Sequence, residues 1–108
     1  MNRGDIWSVA GGTYASKPRP ALIVQDDRFD GTASVTVLPL TSVVTDAPLL
    51  RIPIPANDAT GLDCPSFIMI DKLTTVRRDN VSRRIGRAST SQMLDVERAL
   101  LVFLGLAS

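Results

Sequence analysis

Arg19 is the residue of this 108-residue chain best placed to do chemistry. It stands in Lys17-Pro18-Arg19-Pro20, where the two prolines fix φ and disfavour helix on either side. A glycine-rich stretch, Gly11-Gly12-Thr13, leads in, and the run over residues 21–25 leads out as a buried strand. A guanidinium held at such a junction is well placed to meet a phosphate. The plainer alternative is a basic strand entry behind a rigid turn. Thr41-Ser42 follows another strand pattern, and strand ends at a sheet rim are common binding positions. Ser66 opens a third. Each hydroxyl is equally suited to a local backbone bond.

Elimination narrows the chemistry further. There is no histidine, which removes Ser-His-Asp, Cys-His and paired-histidine logic together. Cys64 is the only cysteine, so no internal disulfide can form, a reducing compartment is expected, and structural zinc lacks ligands. Its expected place is a small buried or half-buried side chain. Asp26-Asp27-Arg28-Phe29-Asp30-Gly31 lacks the alternate spacing and closing Glu of a calcium loop. Glu97 is the sole glutamate and is out of register with Asp95 for a shared metal. No metal and no cofactor is expected. The phosphate-cradling GxxxxGK[ST] and the GxGxxG fingerprint are both missing.

Net charge is +1, yet the charges are unevenly spread. Residues 72–87 carry Lys72, Arg77, Arg78, Arg83, Arg84 and Arg87 against Asp79 alone, while residues 26–63 are predominantly acidic. Such asymmetry focuses a field over one face without a large total. Most of the cations are arginine, whose planar fork pairs with phosphate; a solvated basic face is the plainer explanation.

The elements that must position these groups are short. Alternation predicts strands over residues 3–9, 34–40 and 49–54, with Pro53 confining the last to an edge. Continuous apolar runs predict buried strands over 21–25 and 67–70, and 85–88 is a candidate last strand. Residues 11–20 are expected as a loop, 26–31 as a turn and 77–82 as a single helical turn. Ser89-Thr90-Ser91-Gln92 fits a capping box. Met93, Val96, Leu100, Phe103 and Leu104 recur at helical spacing beyond it, and Gly105 suits a C-cap. Leu94, Leu101 and Val102 lie outside that stripe, so either a partner covers them or a curved sheet wraps around the helix. The expected fold is mainly β (α+β): one domain over residues 1–108, a small curled sheet or barrel closed by a C-terminal helix. The longest apolar run, residues 99–107, falls short of the ~20 needed to span a bilayer. With no apolar leader either, the expected location is cytoplasmic.

In order along the chain, Arg3-Gly4-Asp5-Ile6-Trp7, Lys17-Pro18-Arg19-Pro20-Ala21-Leu22-Ile23-Val24 and Pro39-Leu40-Thr41-Ser42 resemble the MazF/PemK toxin family. Pro65-Ser66-Phe67-Ile68-Met69-Ile70-Asp71-Lys72-Leu73 and Ile85-Gly86 before a terminal helix continue the likeness over nearly the whole length. The resemblance implies an SH3-like barrel, a homodimer, and the toxin half of a type II toxin–antitoxin pair whose antitoxin tail covers the RNA groove. It implies growth arrest through metal-independent, sequence-specific cleavage of single-stranded RNA. The substrate's 2′-OH is then the nucleophile, leaving 2′,3′-cyclic phosphate and 5′-OH ends. By motif position Arg19 and Thr41 fall on the family's catalytic Arg and Thr, with Ser42 and Ser66 as supporting contacts and Lys17 beside them.

Tyr14 could stack on a base, or be a loop aromatic without an RNA role. The resemblance assigns no role to Arg77, Arg78, Arg83, Arg84 or Arg87, which could line the RNA path. Some family members carry an acidic residue in the loop before the Arg; Thr13-Tyr14-Ala15-Ser16-Lys17 has none. Arg is effectively never deprotonated, so the acceptor of the 2′-OH proton is left open, a distal Asp among the options. Two other readings stand beside the ribonuclease: a CcdB-like protein that binds DNA gyrase and cuts nothing, and a catalytically decayed member.

Overall fold

The computed structural model describes residues 1–11 and 15–108. Seven strands are laid down in chain order: β1 (Asp5–Gly11), β2 (Ala15–Ile23), β3 (Ser34–Thr41), β4 (Arg51–Ile54), β5 (Ser66–Met69), β6 (Thr74–Arg77) and β7 (Val81–Arg87). One helix, α1 (Thr90–Phe103), follows. Every pairing is antiparallel. The ladder runs β4-β5-β3-β2-β1-β7, and β6 joins the N-terminal half of β3. The expected mainly β fold with a C-terminal helix is what forms.

Alternation sorts the side chains onto two faces, as the strand period demands. Ile6, Leu22, Leu38, Leu40, Ile54 and Ile68 meet Met93 and Val96 of the helix in one core. Val9, Ala21, Ile23, Val35, Val37 and Val76 make a second on the other face. A sheet buried on both faces explains why β2 ends in a continuous apolar run. Register shifts in β1 against both neighbours bend and twist it, the usual effect of bulges. Although β4 and β7 end the ladder, the connection after β4 lies across β7. Arg87 N–H donates to the Ala59 carbonyl at 2.8 Å, so a loop rather than a strand pair closes the curl.

Several boundaries differ from expectation. Pro18 and Pro20 lie inside β2, not in a loop, because this half of the strand pairs with β1 alone; β3 joins only from Ala21. A missing N–H is tolerated on such an open edge. Pro39 occupies the matching position in β3, where its second neighbour changes from β6 to β5. The turn expected over 77–82 is only the 3-10 segment Arg78–Asn80, and β7 starts at Val81 rather than residue 85. β6 was not anticipated: Thr74-Thr75-Val76-Arg77 has just one buried residue, Val76. Pro53 does lie on an edge strand, since β4 pairs only with β5.

The helix starts as its sequence dictates. Ser89 Oγ accepts from Gln92 N–H at 3.1 Å, and Gln92 Oε1 accepts from Ser89 N–H at 2.6 Å. It ends in a Schellman motif: Gly105 takes φ +75°, Leu106 N–H donates to Leu101 O at 2.8 Å and Gly105 N–H to Val102 O at 3.1 Å. The buried stripe is shorter than the periodicity predicts. Met93 and Val96 are buried, but Phe103 and Leu104 are exposed with Leu101, Val102 and Leu106. No helix among the described residues is long and apolar enough to cross a membrane.

Candidate active site

Arg19, Thr41, Ser42 and Ser66 line one groove of about 480 Å³. The sheet order brings them together. β2 and β3 are neighbours, so Arg19 near the middle of β2 faces the end of β3 that carries Thr41. Thr41 pairs with Phe67 of β5, which sets Ser66 one residue away on the adjoining strand. Ser8 of β1, opposite both Pro20 and Arg83, belongs to the same groove. β7 supplies Arg83 and Arg84, and the connection between β4 and β5 supplies Asp63 and Cys64.

The hydroxyls differ in what they have left to offer. Thr41 Oγ1 accepts from Val43 N–H at 3.2 Å, which turns the chain and leaves the hydroxyl proton to donate. Ser66 is buried, and its Oγ donates to the Cys64 carbonyl at 3.0 Å, fixing the neighbouring loop. Ser42 is exposed. Arg19 is exposed too and takes part in none of the ion pairs among the described residues. A second recess, of about 350 Å³, meets the first at Arg19 and Leu40 and is lined further by Pro39, Met69, Lys72, Thr74 and Thr75. Arg19 therefore sits where two recesses join.

The remaining sequence candidates are placed elsewhere. Lys17 is exposed on β2, two residues from Arg19 and lining neither recess. Arg77 pairs with Asp79 at 3.4 Å in solvent. Arg78 donates from Nε to the Thr32 carbonyl at 2.7 Å and clamps the β2–β3 turn. Neither Arg77 nor Arg78 lines the groove, whereas Arg83 and Arg84 from the same basic stretch do. Tyr14 lies outside the described residues. Cys64, expected to be at least half-buried, is exposed, because its loop forms a wall of the groove rather than part of a core.

The arginine wall has a buried support that sequence reading did not single out. Asp5 is 4% exposed and receives Arg87 at 2.8 Å and Arg84 at 3.5 Å on Oδ1. Asn2 N–H and the Trp7 indole donate to Oδ2 at 2.9 and 3.5 Å. Burial alone would raise its carboxyl, but those hydrogen bonds, with Arg84 nearby, outweigh it and hold Asp5 below the usual carboxylate range. The signal available in sequence was Asp5 at the strand start and two arginines, Arg84 and Arg87, three residues apart; only pairing of β1 with β7 joins them.

Three guanidinium groups and a free hydroxyl around one open groove suit a phosphodiester backbone. Among the described residues no three His, Cys, Asp or Glu side chains gather as a metal site.

A family model described as "PemK-like, MazF-like toxin of type II toxin-antitoxin system" matches residues 2–104. The chain is 58% identical over 108 residues to a "Probable endoribonuclease MazF" of Mycolicibacterium smegmatis, the match covering 99% of each. It is 30% identical to "Endoribonuclease MazF9" of Mycobacterium tuberculosis, over 100% of this chain and 99% of that one. Among solved structures, the Mycobacterium tuberculosis toxin MazF-mt6 superposes with a TM-score of 0.83 at 26% identity, covering 96% of this chain and 99% of that one. A mycobacterial endoribonuclease in complex with its cognate antitoxin has the same fold, with a TM-score of 0.79 at 24% identity over 100% and 96% of the two chains. A match along nearly its whole length places this chain in the PemK-like, MazF-like toxins of type II toxin–antitoxin systems.

Proposed function

We propose that this toxin is a sequence-specific endoribonuclease that cuts single-stranded RNA without a metal, using the substrate's own 2′-OH. The observation that carries the reading is the meeting of Arg19 and Thr41, from different strands, in one groove walled by Arg83 and Arg84. Arg19 neutralises the charge that builds on the non-bridging oxygens as phosphorus becomes five-coordinate. Thr41 donates its hydroxyl proton to a phosphate oxygen while one lone pair of its oxygen accepts from Val43 N–H. Ser42 contacts the backbone nearby, and Ser66 acts through the loop it fixes. The products are a 2′,3′-cyclic phosphate and a 5′-OH, and loss of RNA arrests growth. The endoribonuclease names of the relatives favour cleavage over the gyrase-binding alternative.

The toxin works in the cytoplasm as a homodimer, with the exposed apolar end of α1 as the surface to be covered. Its cognate antitoxin occupies the basic groove, a reading supported by the neighbour solved with its antitoxin.

The test is cleavage of end-labelled single-stranded RNA in EDTA, with analysis of the product termini. Arg19→Ala is expected to fold and to lose ~10²–10³ in rate. Cyclic-phosphate ends lost in that variant support the assignment. Intact RNA across varied sequences, from a protein that still arrests growth, overturns it.

A further inference from the structure

Attack by the 2′-OH requires a group to take its proton, and neither Arg19 nor Thr41 does so at neutral pH, since a guanidinium stays charged and a hydroxyl is a weak base. The groove's residues contain one carboxylate, Asp63. The segment before Arg19 cannot supply another, because Gly12-Thr13-Tyr14-Ala15-Ser16 has no acidic residue, and the chain has no histidine. Resting on the ribonuclease reading, we propose that Asp63 is the general base of the reaction.

Asp63 follows a segment held by hydrogen bonds and close packing. Thr60 is 1% exposed; its Oγ1 donates to the Pro55 carbonyl at 2.7 Å and accepts from Asn57 N–H at 3.1 Å, while Asn57 Oδ1 accepts from Thr60 N–H at 2.9 Å. Gly61, at φ +66°, packs so closely on β7 that a Cβ there would lie 2.0 Å from the Ile85 carbonyl oxygen. On the far side of Asp63, the Cys64 carbonyl is fixed by Ser66. Asp63 thus lines the groove from a short span pinned at both ends, and the other charged residues of that lining are Arg19, Arg83 and Arg84. Toward the phosphates of a polyanion a carboxylate there is repulsive. That opposition gives the test its sign.

In the step, the 2′-hydroxyl proton passes to an Asp63 carboxylate oxygen as the 2′-oxygen bonds to phosphorus. The bond from phosphorus to the 5′-oxygen breaks, the electron pair stays on that oxygen, and it takes a proton from water. The in-line geometry sets attacking and leaving oxygens on opposite sides of phosphorus, so Asp63 serves the attacking side. It then returns its proton to solvent.

The experiment compares wild type, Asp63→Asn and Asp63→Glu on one cleavable RNA in EDTA, with kcat and KM separated over a range of pH. Binding of the same sequence with a 2′-deoxy nucleotide at the cut is measured alongside, and Asp30→Asn in the β2–β3 turn is the control. Asp63→Asn is expected to lose ~10²–10⁴ in kcat and the acid limb of the profile. It should bind the 2′-deoxy oligonucleotide at least as tightly as wild type. Asp63→Glu should recover part of the rate, and Asp30→Asn all of it. Wild-type kcat in Asp63→Asn overturns the proposal, as does a loss of rate matched by a loss of binding. Absence of cleavage by the wild-type protein removes the ribonuclease reading itself, a different result.

Discussion

At the scale of single residues, the groove depends on charges that other charges hold in place. Arg84 serves two masters: it lines the groove and lies 3.5 Å from Asp5. Removing the Asp5 carboxylate leaves Arg87 and Arg84 without their shared anchor, but both arginines are half in solvent and rehydrate. Asp5→Asn should therefore cost about 1.5–3 kcal/mol, the range for hydrogen bonds to a charged group, by urea titration at neutral pH. The pH dependence has a defined sign. Asp5 has a lower pKa folded than unfolded, so its contribution is complete above the ordinary carboxylate range. On acidification the unfolded chain takes up the proton first, and the contribution fades as pH falls through the folded value. Wild type should lose stability below about pH 4, more steeply than Asp5→Asn. Parallel acid curves for the two would discount the anchor.

At the scale of elements, the decisive contact is backbone on backbone. The segment after β4 crosses β7 at Gly86, where a Cβ would lie 2.2 Å from the Thr60 carbonyl oxygen. No side chain can yield there. Gly86→Ala should cost about 1–3 kcal/mol, the usual penalty of overpacking, and displace the segment that carries Asp63 and Cys64. Cleavage should fall by more than the folded fraction accounts for, which parallel thermal melts and rate measurements on the variant can separate. Unchanged activity in a protein destabilised as expected would mean that this wall does not shape the site. Sequence showed Ile85-Gly86 as part of a motif, while the reason for glycine lies in a segment some 25 residues earlier.

At the scale of the whole molecule, the core and the surface of α1 tell different stories. Met93 and Val96 are buried against the sheet, but beyond Leu100 the helix runs past its support. It exposes Leu101, Val102, Phe103, Leu104 and Leu106. Contiguous exposed apolar residues of this kind mark a contact surface. A Phe103→Asp, Leu106→Asp double variant should keep the circular-dichroism spectrum of the wild type and sediment as a smaller species at the same concentration. A wild-type sedimentation coefficient in that variant would move the dimer contact to another face.

Local chemistry fixed what depends on neighbours in the chain. The capping box at Ser89 and Gln92, the glycine stop at Gly105, the edge position of Pro53 and the two-sided burial of β2 all follow from short-range sterics, hydrogen bonding and period. The order of motifs carried the family and singled out Arg19, Thr41, Ser42 and Ser66, which the structure gathers along one groove. Tertiary structure decided which of the arginines share a groove with them: Arg83 and Arg84, not Arg77 and Arg78. Along the chain all four are merely basic. Whether a cation faces the groove or clamps a distant turn depends on strand pairing, and β7 pairs with β1 while β6 pairs with β3. Packing of the β4–β5 connection on β7 sets Asp63 in the same groove as Arg19, more than 40 residues away in the chain, a juxtaposition that no spacing rule encodes.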